Sequence, residues 1–174
     1  MTRSRAVRTL LGTVAGLAVA MGMATPAYAD GPTGNPGRTY ETFRGKVALH
    51  VSYATQWLDS GKAWYFGLAK LSFQSNGNLV ISDRSTGRTS WSTNTANSGA
   101  TRMKFQTDGN LVLYKANGVA VWSSKTNNKC TGLRSYPLLA LQEDSNFVIY
   151  CGKNKPLIED LSGDQLTPMW ATGT

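Results

Sequence analysis

Apolar residues in this chain recur with a period of two, the period of a strand buried on one face. Between Lys46 and Tyr53, Val47, Leu49, Val51 and Tyr53 share one parity, while Lys46, Ala48, His50 and Ser52 share the other. His50 therefore reads as a solvent-facing strand residue rather than a ligand or base. The alternation returns in three later places: Leu71 and Phe73 with Leu79 and Ile81, Met103 and Phe105 with Leu111 and Leu113, and Leu141 with Phe147 and Ile149. Asn76-Gly77-Asn78, Asp108-Gly109-Asn110 and Asp144-Ser145-Asn146 interrupt these runs. Apolar runs flanking such residues predict β-hairpins. Asp59-Ser60-Gly61-Lys62 predicts a further turn inside Gln56–Lys70, and 83–89 and 115–118 predict connecting turns. No segment sustains a helical period, so the domain is expected to be almost all β.

The three hairpins are copies of one unit. Gln74–Ser82 reads QSNGNLVIS, Gln106–Tyr114 reads QTDGNLVLY and Gln142–Tyr150 reads QEDSNFVIY. Their glutamines lie 32 and then 36 residues apart, the fixed period of a repeat architecture. Each copy is followed by a tryptophan: Trp91 in WSTNT, Trp122 in WSSKT and Trp170 in WATGT. Equivalent tryptophans in equivalent units are expected to meet around an internal pseudo-threefold axis and fill the core; the rival reading is that they stack on sugar. From glutamine to tryptophan the third unit spans 28 residues against 17 and 16, so 153–167 contains an inserted loop. Such a loop either carries specificity or is merely tolerated.

Parity sets the register. A two-residue loop would place Gln106 across from Leu111 and mix polar with core positions. A three-residue loop, Asp108 to Asn110, pairs Gln106 with Val112 and Phe105 with Leu113. It turns every apolar residue inward and leaves Gln106, Val112 and Tyr114 on the outer face.

Ahead of the strands, residues 1–29 have the form of an export signal: Arg3, Arg5 and Arg8, an apolar stretch over Leu10–Met23, then Ala27-Tyr28-Ala29 as a cleavage site. The apolar stretch is too short for a membrane span, and no other segment is expected to insert in a bilayer. Cleavage after Ala29 leaves a secreted, extracellular chain with a flexible segment at 30–45 and one domain at 46–174. It removes three arginines and no acids, taking the formal net charge from +8 to +5. The remaining cations are scattered, a solvated surface rather than a nucleic-acid stripe. Cys130 and Cys151, both in the exported part, are expected to form one disulfide around the third hairpin.

The outer face carries the chemistry. A carboxylate, two amides, a phenol and a small apolar side chain offer directional partners for hydroxyls and contact for C–H faces, which suits a pyranose. Turn formation alone accounts for Asp108 and Asn110 but leaves Gln106 and Tyr114 unexplained. QTDGNLVLY and QEDSNFVIY resemble the QxDxNxVxY signature of the bulb-type lectins, the monocot mannose-binding lectins and their bacterial and fungal relatives. The resemblance runs from about Tyr53 to Thr174 and includes the terminal WATGT. It implies a β-prism II fold, three antiparallel four-stranded sheets around a pseudo-threefold axis, with a mannose site on each sheet and no cofactor or metal. Asp and Asn would hold the 2-hydroxyl, Gln the 3-hydroxyl and Tyr the 4-hydroxyl, with Val against the ring. The implied sites are Gln106, Asp108, Asn110, Val112 and Tyr114, and Gln142, Asp144, Asn146, Val148 and Tyr150. In the first copy Asn76 replaces the carboxylate and Ser82 the phenol, so Gln74, Asn76, Asn78 and Val80 are expected to form a weak or silent site.

Adjacent Glu143 and Asp144 point to opposite faces of a strand and do not flank a glycosidic bond, so an enzyme is not expected. The expected partners are mannose-rich glycans, including cell-surface or cell-wall polysaccharide, with homodimerisation left open. The rival is a bacteriocin-like or protein-interaction module on the same scaffold.

Overall fold

The computed structural model describes residues 38–39, 48–52, 56–153 and 166–173. The expected export signal (1–29), most of the expected flexible segment at 30–45 and most of the expected inserted loop (154–165) lie outside the described residues. Ahead of the repeats run β1 (Arg38–Thr39), β2 (Ala48–Ser52), β3 (Gln56–Asp59) and β4 (Lys62–Phe66). The first repeat contributes β5 (Ala69–Phe73), β6 (Leu79–Asp83) and β7 (Thr89–Ser92). The second contributes β8 (Ala100–Phe105), β9 (Leu111–Lys115) and β10 (Ala120–Ser123). The third contributes β11 (Tyr136–Gln142), β12 (Phe147–Gly152) and β13 (Leu166–Ala171). Among the described residues the one helical element is a 3-10 turn at Gly132–Arg134.

The strands make three antiparallel sheets, β4-β5-β6-β7, β10-β9-β8-β3 and β1-β2-β11-β12-β13. The segment ahead of the repeats thus deals out one strand to each: β4 to the first, β3 to the second, β2 to the third. A three-stranded repeat leaves an edge, and these strands pair it. The third sheet departs from the expected four strands only by the two-residue β1.

Each sheet is apolar on one face, and the three faces close on one another. Leu71, Leu79, Ile81, Met103, Leu111, Leu113, Leu141 and Ile149 are fully buried. The strand pair closing each hairpin is Phe73 with Leu79, Phe105 with Leu111, and Leu141 with Phe147. One phenylalanine and one leucine occupy this layer in every sheet, on alternate strands, so the third repeat keeps core volume while exchanging positions.

The register corrects one expectation. Phe105 pairs with Leu111 and Lys104 with Val112, and the Gln106 N–H donates to the Asn110 carbonyl at 2.8 Å. The loop is therefore Thr107-Asp108-Gly109, one residue earlier than expected, and Gln106 faces Asn110 rather than Val112. Gly109 determines this by taking φ +82°, with Gly77 at +88° and Ser145 at +64° in the same role. Both loops have the same parity, so the inward set is as expected.

Trp91, Trp122 and Trp170 pair with Ile81, Leu113 and Ile149, each just after a register slip. Their rings meet edge to face with centroids 5.9, 5.6 and 6.0 Å apart. Each such pair contributes roughly 0.5–1.5 kcal/mol beyond area burial. Half-buried and packed against the core, they form the threefold contact and not a stacking platform. Cys130 and Cys151 are joined, with Cα atoms 5.2 Å apart, tying the linker after the second repeat to β12.

Candidate functional site

The motif begins as a turn. Asp108 Oδ1 accepts from the Asn110 N–H at 2.9 Å, and Asp144 Oδ1 from Asn146 at 3.1 Å. Asn76 Oδ1 does the same for Asn78 at 3.0 Å. This duty needs one side-chain oxygen, which explains why asparagine serves in the first copy. A carboxylate brings a second, charged acceptor, and that is what Asn76 lacks.

The following asparagine is a latch. Asn110 Oδ1 accepts from Ser124 Oγ at 3.1 Å and from the Thr126 N–H at 3.3 Å. Asn78 Oδ1 accepts from Thr93 Oγ1 at 3.1 Å and the Thr95 N–H at 3.0 Å. Asn146 Oδ1 accepts from Thr172 Oγ1 at 3.0 Å and the Gly173 N–H at 3.2 Å. Each of these hydroxyls also accepts the N–H at the start of the next strand, from Leu79, Leu111 or Phe147, at 3.0–3.1 Å. The hydroxyl two residues after each tryptophan thus ties the tryptophan strand to the motif turn. Sequence reasoning missed this role, although WST, WSS and WAT carry its signal. With its oxygen committed, Asn110 keeps its amide nitrogen as a donor.

Glutamine and tyrosine form a second fixed pair. Gln106 Nε2 donates to Tyr114 Oη at 3.0 Å, and Gln142 Nε2 to Tyr150 Oη at 2.8 Å. The bond orients both groups, leaving the glutamine oxygen as acceptor and the phenol proton as donor. In the first copy Ser82 is too short to reproduce it, and Gln74 is exposed.

The three outer faces differ in access. On the second sheet Gln106, Asp108, Asn110 and Tyr114 are half-buried on one face. Val112, expected to offer an apolar platform, is only 3% exposed between its cross-strand neighbours Lys104 and Ser123. On the third sheet Gln142 is 4%, Tyr150 8% and Val148 1% exposed. The expectation of an open patch there is corrected: only Asp144 and Asn146 reach solvent. The cross-strand neighbours of the two faces differ as well. Val112 and Tyr114 lie opposite Lys104 and Arg102, whereas Val148 and Tyr150 lie opposite Ala140 and Leu138. Among the described residues, no group of three or more His, Cys, Asp or Glu side chains is placed to hold a metal.

No protein-family profile matches the chain. A mannose-specific lectin of Aloe arborescens is 29% identical over 126 residues, covering 72% of this chain and 97% of that one. A monomeric monocot mannose-binding lectin from Gastrodia elata is 33% identical with a TM-score of 0.52, covering 68% of this chain and 89% of its own. A Marasmius oreades lectin is 26% identical with a TM-score of 0.54, covering 71% and 90%.

Proposed function

Because the chain belongs to the family of bulb-type, monocot mannose-binding lectins, we propose that it is a secreted, non-catalytic protein recognising α-D-mannose or mannose-rich glycans. The observation that carries this reading is the second outer face. There a hydrogen-bonded Gln106–Tyr114 pair, the carboxylate of Asp108 and the amide of Asn110 border one solvent-open patch. The Asp108 oxygen not used in the turn accepts from a sugar hydroxyl, and Asn110 Nδ2 donates to the same hydroxyl oxygen. Gln106 Oε1 and the Tyr114 phenol serve neighbouring hydroxyls, while Val112, 3% exposed, offers the ring little contact. The third copy holds the same set behind a closed face, and the first lacks both charge and phenol. Gln106, Asp108, Asn110, Val112 and Tyr114 therefore form the principal site. Export through the 1–29 signal and adhesion to cell-surface or cell-wall polysaccharide belong to the same proposal.

A shallow site of this kind binds one sugar with Kd near 1 mM, about 4 kcal/mol, and clustered glycan supplies the remaining affinity through multivalency. Titration calorimetry with methyl α-D-mannoside tests the reading. Asp108→Ala removes a charge-assisted bond and is expected to weaken binding about tenfold or more. Asp144→Ala changes it little. Absence of mannoside binding, or equal affinity in Asp108→Ala, refutes the assignment.

A further inference from the structure

Beside the principal site a groove of about 530 Å³ opens, lined by Asp59, Thr101, Arg102, Lys104, Tyr114 and Lys115, among others. Tyr114 belongs to both, so the groove continues directly from the phenol end of the sugar site. Strand register lays it out: Asp59, Arg102 and Tyr114 are consecutive cross-strand neighbours over β3, β8 and β9, with Lys104 two residues from Arg102 on the same face. The groove holds three cations and one carboxylate. That carboxylate is engaged, since Asp59 Oδ1 accepts from Arg102 Nε at 2.7 Å. The bond occupies one edge of the guanidinium and leaves its terminal amino groups as donors. Among the described residues, neither Lys104 nor Lys115 has a carboxylate partner. The pairing of two strand cations at these positions is particular to this sheet. The positions of Lys104 and Arg102 are taken by Ser72 and Lys70 in the first sheet and by Ala140 and Leu138 in the third.

We infer that this groove is an anion subsite, so that the preferred ligand of the second sheet is a mannoside carrying a phosphate or carboxylate at its Tyr114 end. The inference rests on the proposed sugar site and adds the charge of its ligand. Phosphate and carboxylate are both bound by guanidinium and ammonium donors, and a concave cationic surface concentrates anions in a salt-dependent manner.

The test is calorimetry of the mature chain with three probes, methyl α-D-mannoside, mannose 6-phosphate and methyl α-D-mannuronoside, at about 20 mM and about 500 mM NaCl, a range over which screening becomes strong. One or both charged sugars are expected to bind roughly three- to tenfold tighter than the neutral one at low salt, the gain that one or two exposed ion pairs supply. Which probe gains separates a phosphate source from a uronate source. The gain should vanish at high salt and in the double variant Lys104→Gln/Lys115→Gln, with neutral mannoside affinity unchanged. Neutral binding without any charged advantage overturns the anion subsite and leaves the sugar site standing. A charged advantage that survives both salt and the double variant also overturns it. Failure of all three probes overturns the sugar site and this inference together.

Discussion

Replacing Ser124 by alanine removes a single oxygen from the junction between the second motif turn and its tryptophan strand. Ser124 is 8% exposed, so water does not readily replace the lost contacts. Its Oγ accepts the Leu111 N–H at 3.0 Å, donates to Asn110 Oδ1 at 3.1 Å and lies 2.6 Å from Thr126 Oγ1. Losing the bond to Asn110, about 1 kcal/mol net, and stranding the buried Leu111 amide, about 1–3 kcal/mol, give a loss of roughly 3 kcal/mol. For a domain of this size that is a fall in Tm on the order of 10 °C. Urea unfolding followed by tryptophan fluorescence reads the change directly, since Trp122 lies two residues away in sequence. Ser124→Thr is the control: threonine holds the equivalent place at Thr93 and Thr172 and should stay within about 1 kcal/mol of the parent. If Ser124→Ala lies within about 0.5 kcal/mol of the parent, the ordinary range of a surface substitution, the latch account is wrong.

Three further outcomes follow from the same structure. Replacing Cys130 and Cys151 together by alanine should cost about 3 kcal/mol, the chain-entropy value for a bridge between residues 21 apart, read as a lower urea midpoint. Ser145 holds φ +64° where the other copies use glycine, so Ser145→Gly should stabilise by up to about 1 kcal/mol, left-handed strain relieved outweighing backbone entropy lost. Asp83 accepts from the Ser85 hydroxyl at 2.5 Å and from the Ser85 and Thr86 N–H groups, and these hydrogen bonds, the Ser85 hydroxyl foremost, hold its carboxyl below the ordinary 3.8. The unfolded chain then binds the proton more readily, so this contribution is present above about pH 3.8 and fades as pH falls through the lower folded value. Thermal melts of Asp83→Asn should therefore show a shallower acid slope than the parent.

The inward residues of the hairpins were readable because parity survives an error of loop placement. Taking the loop as Asp108–Asn110 instead of Thr107–Gly109 shifts every pair yet leaves Phe105 and Leu113 facing the core. The pairing itself was not readable, since it depends on which residue adopts positive φ and both Asp-Gly and Gly-Asn suit a turn. The tryptophan cluster followed from the repeat, three equivalent residues having one axis on which to meet. Sheet membership of β2 and β3 did not, because local alternation says that a segment is a strand and nothing about its partner. The candidate site residues are legible as a pattern, but their access to solvent is not. Gln142 and Tyr150 repeat Gln106 and Tyr114, yet they are buried where their counterparts are half-buried, a difference the motif itself does not carry. Turn and sugar roles for Asn110 are legible in the motif, but the Ser124 hydroxyl that claims its amide oxygen lies fourteen residues away.

A mannoside bound as proposed lands on the second sheet. A two-dimensional amide NMR titration of residues 30–174 with methyl α-D-mannoside locates it residue by residue. The expected result is saturable shifts at the backbone amides of Gln106, Asp108, Asn110, Val112 and Tyr114 and at the Gln106 and Asn110 side-chain amides, with Gln142, Val148 and Tyr150 unmoved. Shifts confined to the third sheet or to the tryptophan cluster, or none at saturating sugar, would contradict it.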